Sequence, residues 1–110
     1  MQISRQFNRF YHAQLREFFL KAPNVLYVED LGAYIKVWGL TFYSFKQLLK
    51  TINPNYPRDE KGNVVSTRDI SSKELVEHIE FIFKLASQNG IEMSVIEQEW
   101  KMLLRRANYV

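Results

Sequence analysis

The stretch VLYVEDLGAYIKVW, residues 25–38, decides between an all-helical chain and a mixed one. Its halves, VLYVED and AYIKVW, are rich in β-branched and aromatic residues, and LeuGly at 31–32 interrupts them. Two such runs around a glycine-bearing break read as a β-hairpin. Period-two alternation would place Leu26, Val28, Ile35 and Val37 on one face and Tyr27, Tyr34, Lys36 and Trp38 on the other. The first face suits a core. The second interleaves aromatics with a cation, which fits either packing under a helix or stacking of nucleobases.

Helical periodicity dominates on both sides of the hairpin. SRQFNRFYHAQLREFF, residues 4–19, spaces Phe7, Phe10, Tyr11, Leu15, Phe18 and Phe19 along one edge and Arg5, Arg9, His12 and Arg16 along the other. The first helix is expected over 4–21, capped by Ser4 and stopped by Pro23. SFKQ at 44–47 reads as a capping box opening a short helix with Phe45, Leu48, Leu49 and Ile52 inward. SSKE at 71–74 opens a longer one with Leu75, Val76, Ile79, Ile82, Phe83 and Ala86 inward, stopped at Asn89–Gly90. SVIE at 94–97 is a third box, before a helix presenting Ile96, Trp100, Leu103, Leu104 and Ala107. Between the second and third helices, NPNYPRDEKGNVV at 53–65 reads as a loop, and at that length as a mobile or functional one.

The expectation is therefore a single α+β domain over 1–110, a β-hairpin packed against four helices, with a third short strand at 63–66 left open. At 110 residues there is room for one core and not two. Aromatics at 15% and hydrophobic residues at 46% argue against disorder. Net charge is +3, unevenly spread. Residues 1–52 hold seven lysines and arginines against three acids, whereas 53–110 hold eight against nine. A basic front half is compatible with a polyanionic partner. The absence of cysteine excludes disulfide scaffolds, thiolate zinc sites and cysteine nucleophiles. No run approaches the ~20 apolar residues needed to span a bilayer, and a cytoplasmic location without membrane contact is expected.

Three constellations could carry chemistry. Arg5, Arg9 and Arg16 share one helical edge and could track phosphates, or they could form the wet side of an ordinary amphipathic helix. Lys101, Arg105 and Arg106 lie at the end of the last helix, where cations also complement the helix dipole. Lys36 and Trp38 could support a stacked base. Catalysis is poorly signalled: His12 and His78 have no second histidine at metal spacing, Glu74 and His78 read as a pair on a solvated face, and no glycine-rich phosphate loop or nucleophile elbow is present. No catalytic residue, metal or cofactor is expected.

Two segments carry a resemblance. S-R-Q-F-N-R-F-Y-H-A-Q-L at 4–15 and V-S-T-R-D-I-S-S-K-E-L-V-E-H-I-E-F-I-F-K-L-A-S-Q-N-G-I-E-M at 65–93 resemble phage recombination mediators of the NinB (Orf) type and related phage replication proteins. Ser66–Thr67, Ile70–Ser71, Glu74, Ile79–Glu80 and Gly90–Ile91 match that group's second pattern, and His78 stands where an aromatic is usual. The chain departs from the group in its shorter length, its hairpin at 25–38 and a basic final helix. The resemblance implies a non-enzymatic protein, without nuclease chemistry, that binds single-stranded DNA as a homodimer and helps load or regulate a recombinase; from the residues alone, RNA stays open in place of DNA.

On that reading Arg5, Arg9 and Arg16 take phosphates and Lys36 with Trp38 holds a base. Lys101, Arg105 and Arg106 extend the track if the last helix folds back beside the first. The alternative is a small protein-interaction or regulatory module, such as a phage-encoded inhibitor of a host protein. It would dock through the 53–65 loop and the hairpin aromatics.

Overall fold

The computed structural model describes residues 5–106. Helix α1 (Arg5–Lys21) leads into strand β1 (Val25–Val28), a 3₁₀ turn at Glu29–Leu31 and strand β2 (Ala33–Lys36). Helix α2 (Phe42–Ile52), a long loop, helix α3 (Ser72–Gln88) and helix α4 (Glu97–Arg106) follow. Among the described residues, four α-helices and one antiparallel two-stranded sheet make the expected α+β fold.

The hairpin keeps both faces anticipated for it. Leu26 pairs with Ile35 and Tyr27 with Tyr34, so like faces stay together. Leu26, Val28 and Val37 are buried, while Tyr34 and Trp38 are 74% and 66% exposed. The aromatic face therefore looks into water and not under a helix. Gly32 makes the turn possible: its φ of 61° is left-handed, and its N–H donates to the Glu29 carbonyl at 3.0 Å. A side chain at that angle would cost about 1–2 kcal/mol.

The outer edge of β1 is covered by an amide. Tyr27 N–H donates to Asn89 Oδ1 at 2.8 Å, and Asn89 Nδ2 donates to the Tyr27 carbonyl at 2.9 Å. Asn89 thus satisfies this part of the strand as a neighbouring strand would. It is held there because Gly90, with φ 68°, ends α3 and lets Ile91 N–H return to the Ala86 carbonyl.

The third strand left open at 63–66 does not form. Arg58 and Val64 make an isolated bridge, and the Asp59 carboxylate accepts from the N–H groups of Lys61 and Asn63. The 53–65 segment closes on itself instead of pairing with the hairpin: Asp59 N–H donates to the Asn63 carbonyl and Val65 N–H to the Pro57 carbonyl. Tyr56 anchors it: its ring is buried and its hydroxyl donates to the Val65 carbonyl at 2.8 Å.

Two of the three expected capping boxes are corrected. At α3 both halves are present, Ser71 taking the Glu74 N–H and Glu74 taking the Ser71 N–H. At α2 the cap is Thr41, three residues before Ser44, whose N–H the threonine hydroxyl accepts. TFYS satisfies the same spacing one turn earlier and adds Phe42 to the packed surface, so the longer helix wins. Before α4, Ser94 does not act as a cap. Its N–H and hydroxyl both donate to the Glu17 carboxylate of α1, and the helix starts at Glu97. Ser4 and Ala107 lie outside the described residues.

Helix α1 sits at the centre with its apolar edge, Phe7, Tyr11, Leu15 and Phe18, buried. Its end meets the start of α2 through Phe18–Phe45 and Phe19–Phe42 edge contacts, both with ring centroids 5.5 Å apart. On its other flank α4 runs antiparallel. Ser94 bonds Glu17, Trp100 stacks on Phe10 at 5.2 Å, and Arg106 shares a groove with Gln6. The indole N–H of Trp100 donates to Glu80 of α3 at 3.1 Å.

Candidate nucleic-acid interface

At 3.6 residues per turn, positions 5, 9, 12 and 16 lie opposite the buried positions 7, 11, 14, 15 and 18 of α1. Arg5, Arg9 and Arg16 are accordingly exposed, forming a row about 16 Å long. Among the described residues none of the three is in an ion pair. His12, between them, is half-buried, and its Nδ1–H donates to the Asn8 carbonyl at 2.8 Å. Arg5 stands in the first turn of α1, which holds no acid.

One end of the row meets α4. Arg9 and Arg106 line the same groove of about 340 Å³ between α1 and α4, together with Gln6 and Leu103. The terminal cluster as a whole does not join it. Lys101 and Arg105 lie on the other flank of α4 and line a groove of about 660 Å³ against α3, with Glu80 and Glu97. Lys101 Nζ is 3.2 Å from Glu97 Oε1. The last helix does fold back beside the first, but neighbouring side chains on a helix diverge by about 100°, and only Arg106 turns toward the arginine row.

The other end of the row meets aromatic rings. The Arg16 guanidinium lies 4.9 Å from the Phe42 ring centroid. Phe42 packs on Phe19, and Phe19 lines a small groove with Trp38. Lys36 Nζ lies 5.4 Å from the Trp38 ring centroid. One turn into α2, Lys46 Nζ lies 5.9 Å from the Tyr43 ring centroid, and Gln47 Nε2 donates to the Tyr43 hydroxyl. Tyr43 is 64% exposed. Lys36 and Trp38, paired in the sequence reading, lie together, whereas Tyr43 was given no role there. The three-residue shift of the α2 cap places Tyr43 in the first turn of the helix, its ring outward beside Lys46.

The inner side of α1 presents a second polar group, and it is buried. His78 is not paired with Glu74 on a wet face: it is 1% exposed, and its Nδ1 faces Asn53 Nδ2 at 2.9 Å. Asn53 Oδ1 accepts from Asn55 N–H, which fixes the amide and makes Nδ2 the donor. Nδ1 of His78 is therefore the acceptor and the neutral ring carries its proton on Nε2. Burial, with nearby Lys50, depresses the His78 pKa to about 3. Lys50 is buried, in no ion pair among the described residues, with its Nζ 5.6 Å from the Tyr56 ring centroid. Burial first, and Lys46 second, lower its pKa to about 8.

Neither histidine hydrogen-bonds a carboxylate among the described residues. Among the same residues no group of three His, Cys, Asp or Glu side chains is placed to hold a metal ion, and no helix is long and apolar enough to cross a membrane. Comparison with protein-family models, curated proteins and solved structures finds no match.

Proposed function

We propose that the chain is a non-enzymatic single-stranded nucleic-acid-binding protein, an accessory factor of the kind its resemblance to NinB-type phage recombination mediators implies. The observation that carries this reading is the row of three water-facing arginines on α1, free of carboxylate partners among the described residues. Exposed guanidinium groups in a row release condensed counterions when they meet phosphates. Arg106 lengthens the row at one end, and Lys36 with Trp38 offers a base a flat ring at the other.

Fluorescence anisotropy with a labelled oligonucleotide tests it. Binding at low salt should weaken as salt rises, with a log–log slope near −0.7 for each neutralised phosphate. Replacing Arg5, Arg9 and Arg16 together by glutamate should abolish it. No binding at low salt, or full binding by the triple variant, overturns the reading. The exposed Tyr34 and Trp38 would also suit a protein-docking module, which predicts a partner held with little salt dependence.

A further inference from the structure

Resting on the nucleic-acid reading, we infer that the surface where β2 meets the start of α2 is a base-stacking platform built from Trp38 and Tyr43, and that it makes the protein select single strands over duplexes. Two features of the fold put the rings there. The outer face of the hairpin has no helix over it, so Trp38 stands 66% exposed at the end of β2. The Thr41 cap then starts α2 only three residues later, turning Tyr43 out in its first turn, 64% exposed.

Each ring has a cation over it: Lys36 for Trp38, Lys46 for Tyr43, with Arg16 over the neighbouring Phe42. Among the described residues none of these cations is tied to a carboxylate. An apolar protein partner would gain little from three free cations at its contact. A nucleotide supplies both counterparts at once, a flat base for the ring and a phosphate for the cation.

Arg16, the last of the arginine row, lies over Phe42, the chain neighbour of Tyr43. In a duplex the bases are paired and stacked on one another, so their faces are closed to such a platform. Phosphate contact alone would bind both forms; ring contact favours the unpaired one.

The test compares three probes on the wild-type protein: an oligothymidine strand, an abasic strand of the same length and a duplex. The intact strand should bind at least about fivefold more tightly than the abasic one for each stacked base. Trp38→Ala and Tyr43→Ala should each reduce that ratio while leaving abasic-strand binding unchanged. Fluorescence gives a second readout. The chain has two tryptophans, and Trp100 is 5% exposed, so quenching by the intact strand should come from Trp38 and vanish in Trp38→Phe. Equal binding of intact and abasic strands overturns the platform and leaves the phosphate reading standing. Failure to bind any of the three probes overturns both.

Discussion

On its outer side α1 holds Arg5, Arg9 and Arg16 in water. On its inner side, within a turn of Arg9, Tyr11 packs against His78, whose ring bonds Asn53 and lies near Lys50. Both sides carry ionisable nitrogen, and they answer to different constraints. The arginines keep their charge because water solvates it, and it is available to a ligand. His78 loses its charge because burial penalises the protonated ring, and Lys50 holds its proton less firmly for the same reason. Polar residues on the outer side can change with little effect on folding; those on the inner side cannot.

The largest expected effect is on the inner side, in acid. The unfolded chain protonates His78 near pH 6.5, whereas the folded chain keeps it neutral to about pH 3. Between those values the unfolded state binds more protons, so stability falls as pH is lowered through the window, by roughly 5 kcal/mol when fully developed. Lys50 acts in the same sense at the other end. Folded, it releases its proton near pH 8, against 10.5 in the unfolded chain, so stability rises with pH between the two. Tyr11 and Tyr56 then reverse the trend: burial raises both hydroxyls above their usual 10.0, the unfolded chain ionises first, and stability falls. Urea unfolding from pH 4 to 11 checks the profile. His78→Gln, whose amide does not titrate, should flatten the acid limb.

A smaller effect is expected from Asn53→Ala. It removes the donor to His78 Nδ1 and leaves a buried acceptor unpaired, at a cost of about 1–3 kcal/mol, readable as a lower urea midpoint with an unchanged slope. The smallest is on the outer side. Arg5→Glu, Arg9→Glu and Arg16→Glu should each move stability by no more than about 0.5 kcal/mol. Thermal unfolding of the three variants would separate a ligand-binding row from a structural one.

Much of this was legible from residue spacing. Both periodicities are local, so the four helices, the two faces of the hairpin and the opposition of Arg5, Arg9 and Arg16 to the core edge of α1 could be read directly. What escaped depends on residues far apart in the chain. Ser94 fits a capping box until Glu17, 77 positions away, takes both of its donors. His78 fits a pair with Glu74 until Asn53 faces it and the capping box claims the glutamate. The cap of α2 was a local competition between Thr41 and Ser44, decided by the added burial of Phe42 against Phe19. Its displacement hid Tyr43 and Lys46 from view as surface residues. The division of Lys101 and Arg105 from Arg106 needed the position of α4 between two neighbours.

The antiparallel course of α4 along α1 brings the first and last described turns of the chain to one groove, where Gln6 and Arg9 meet Arg106. Gln6 and Leu103 therefore face each other across one groove, and a pair of spectroscopic labels on those two positions would report whether α4 stays docked on α1.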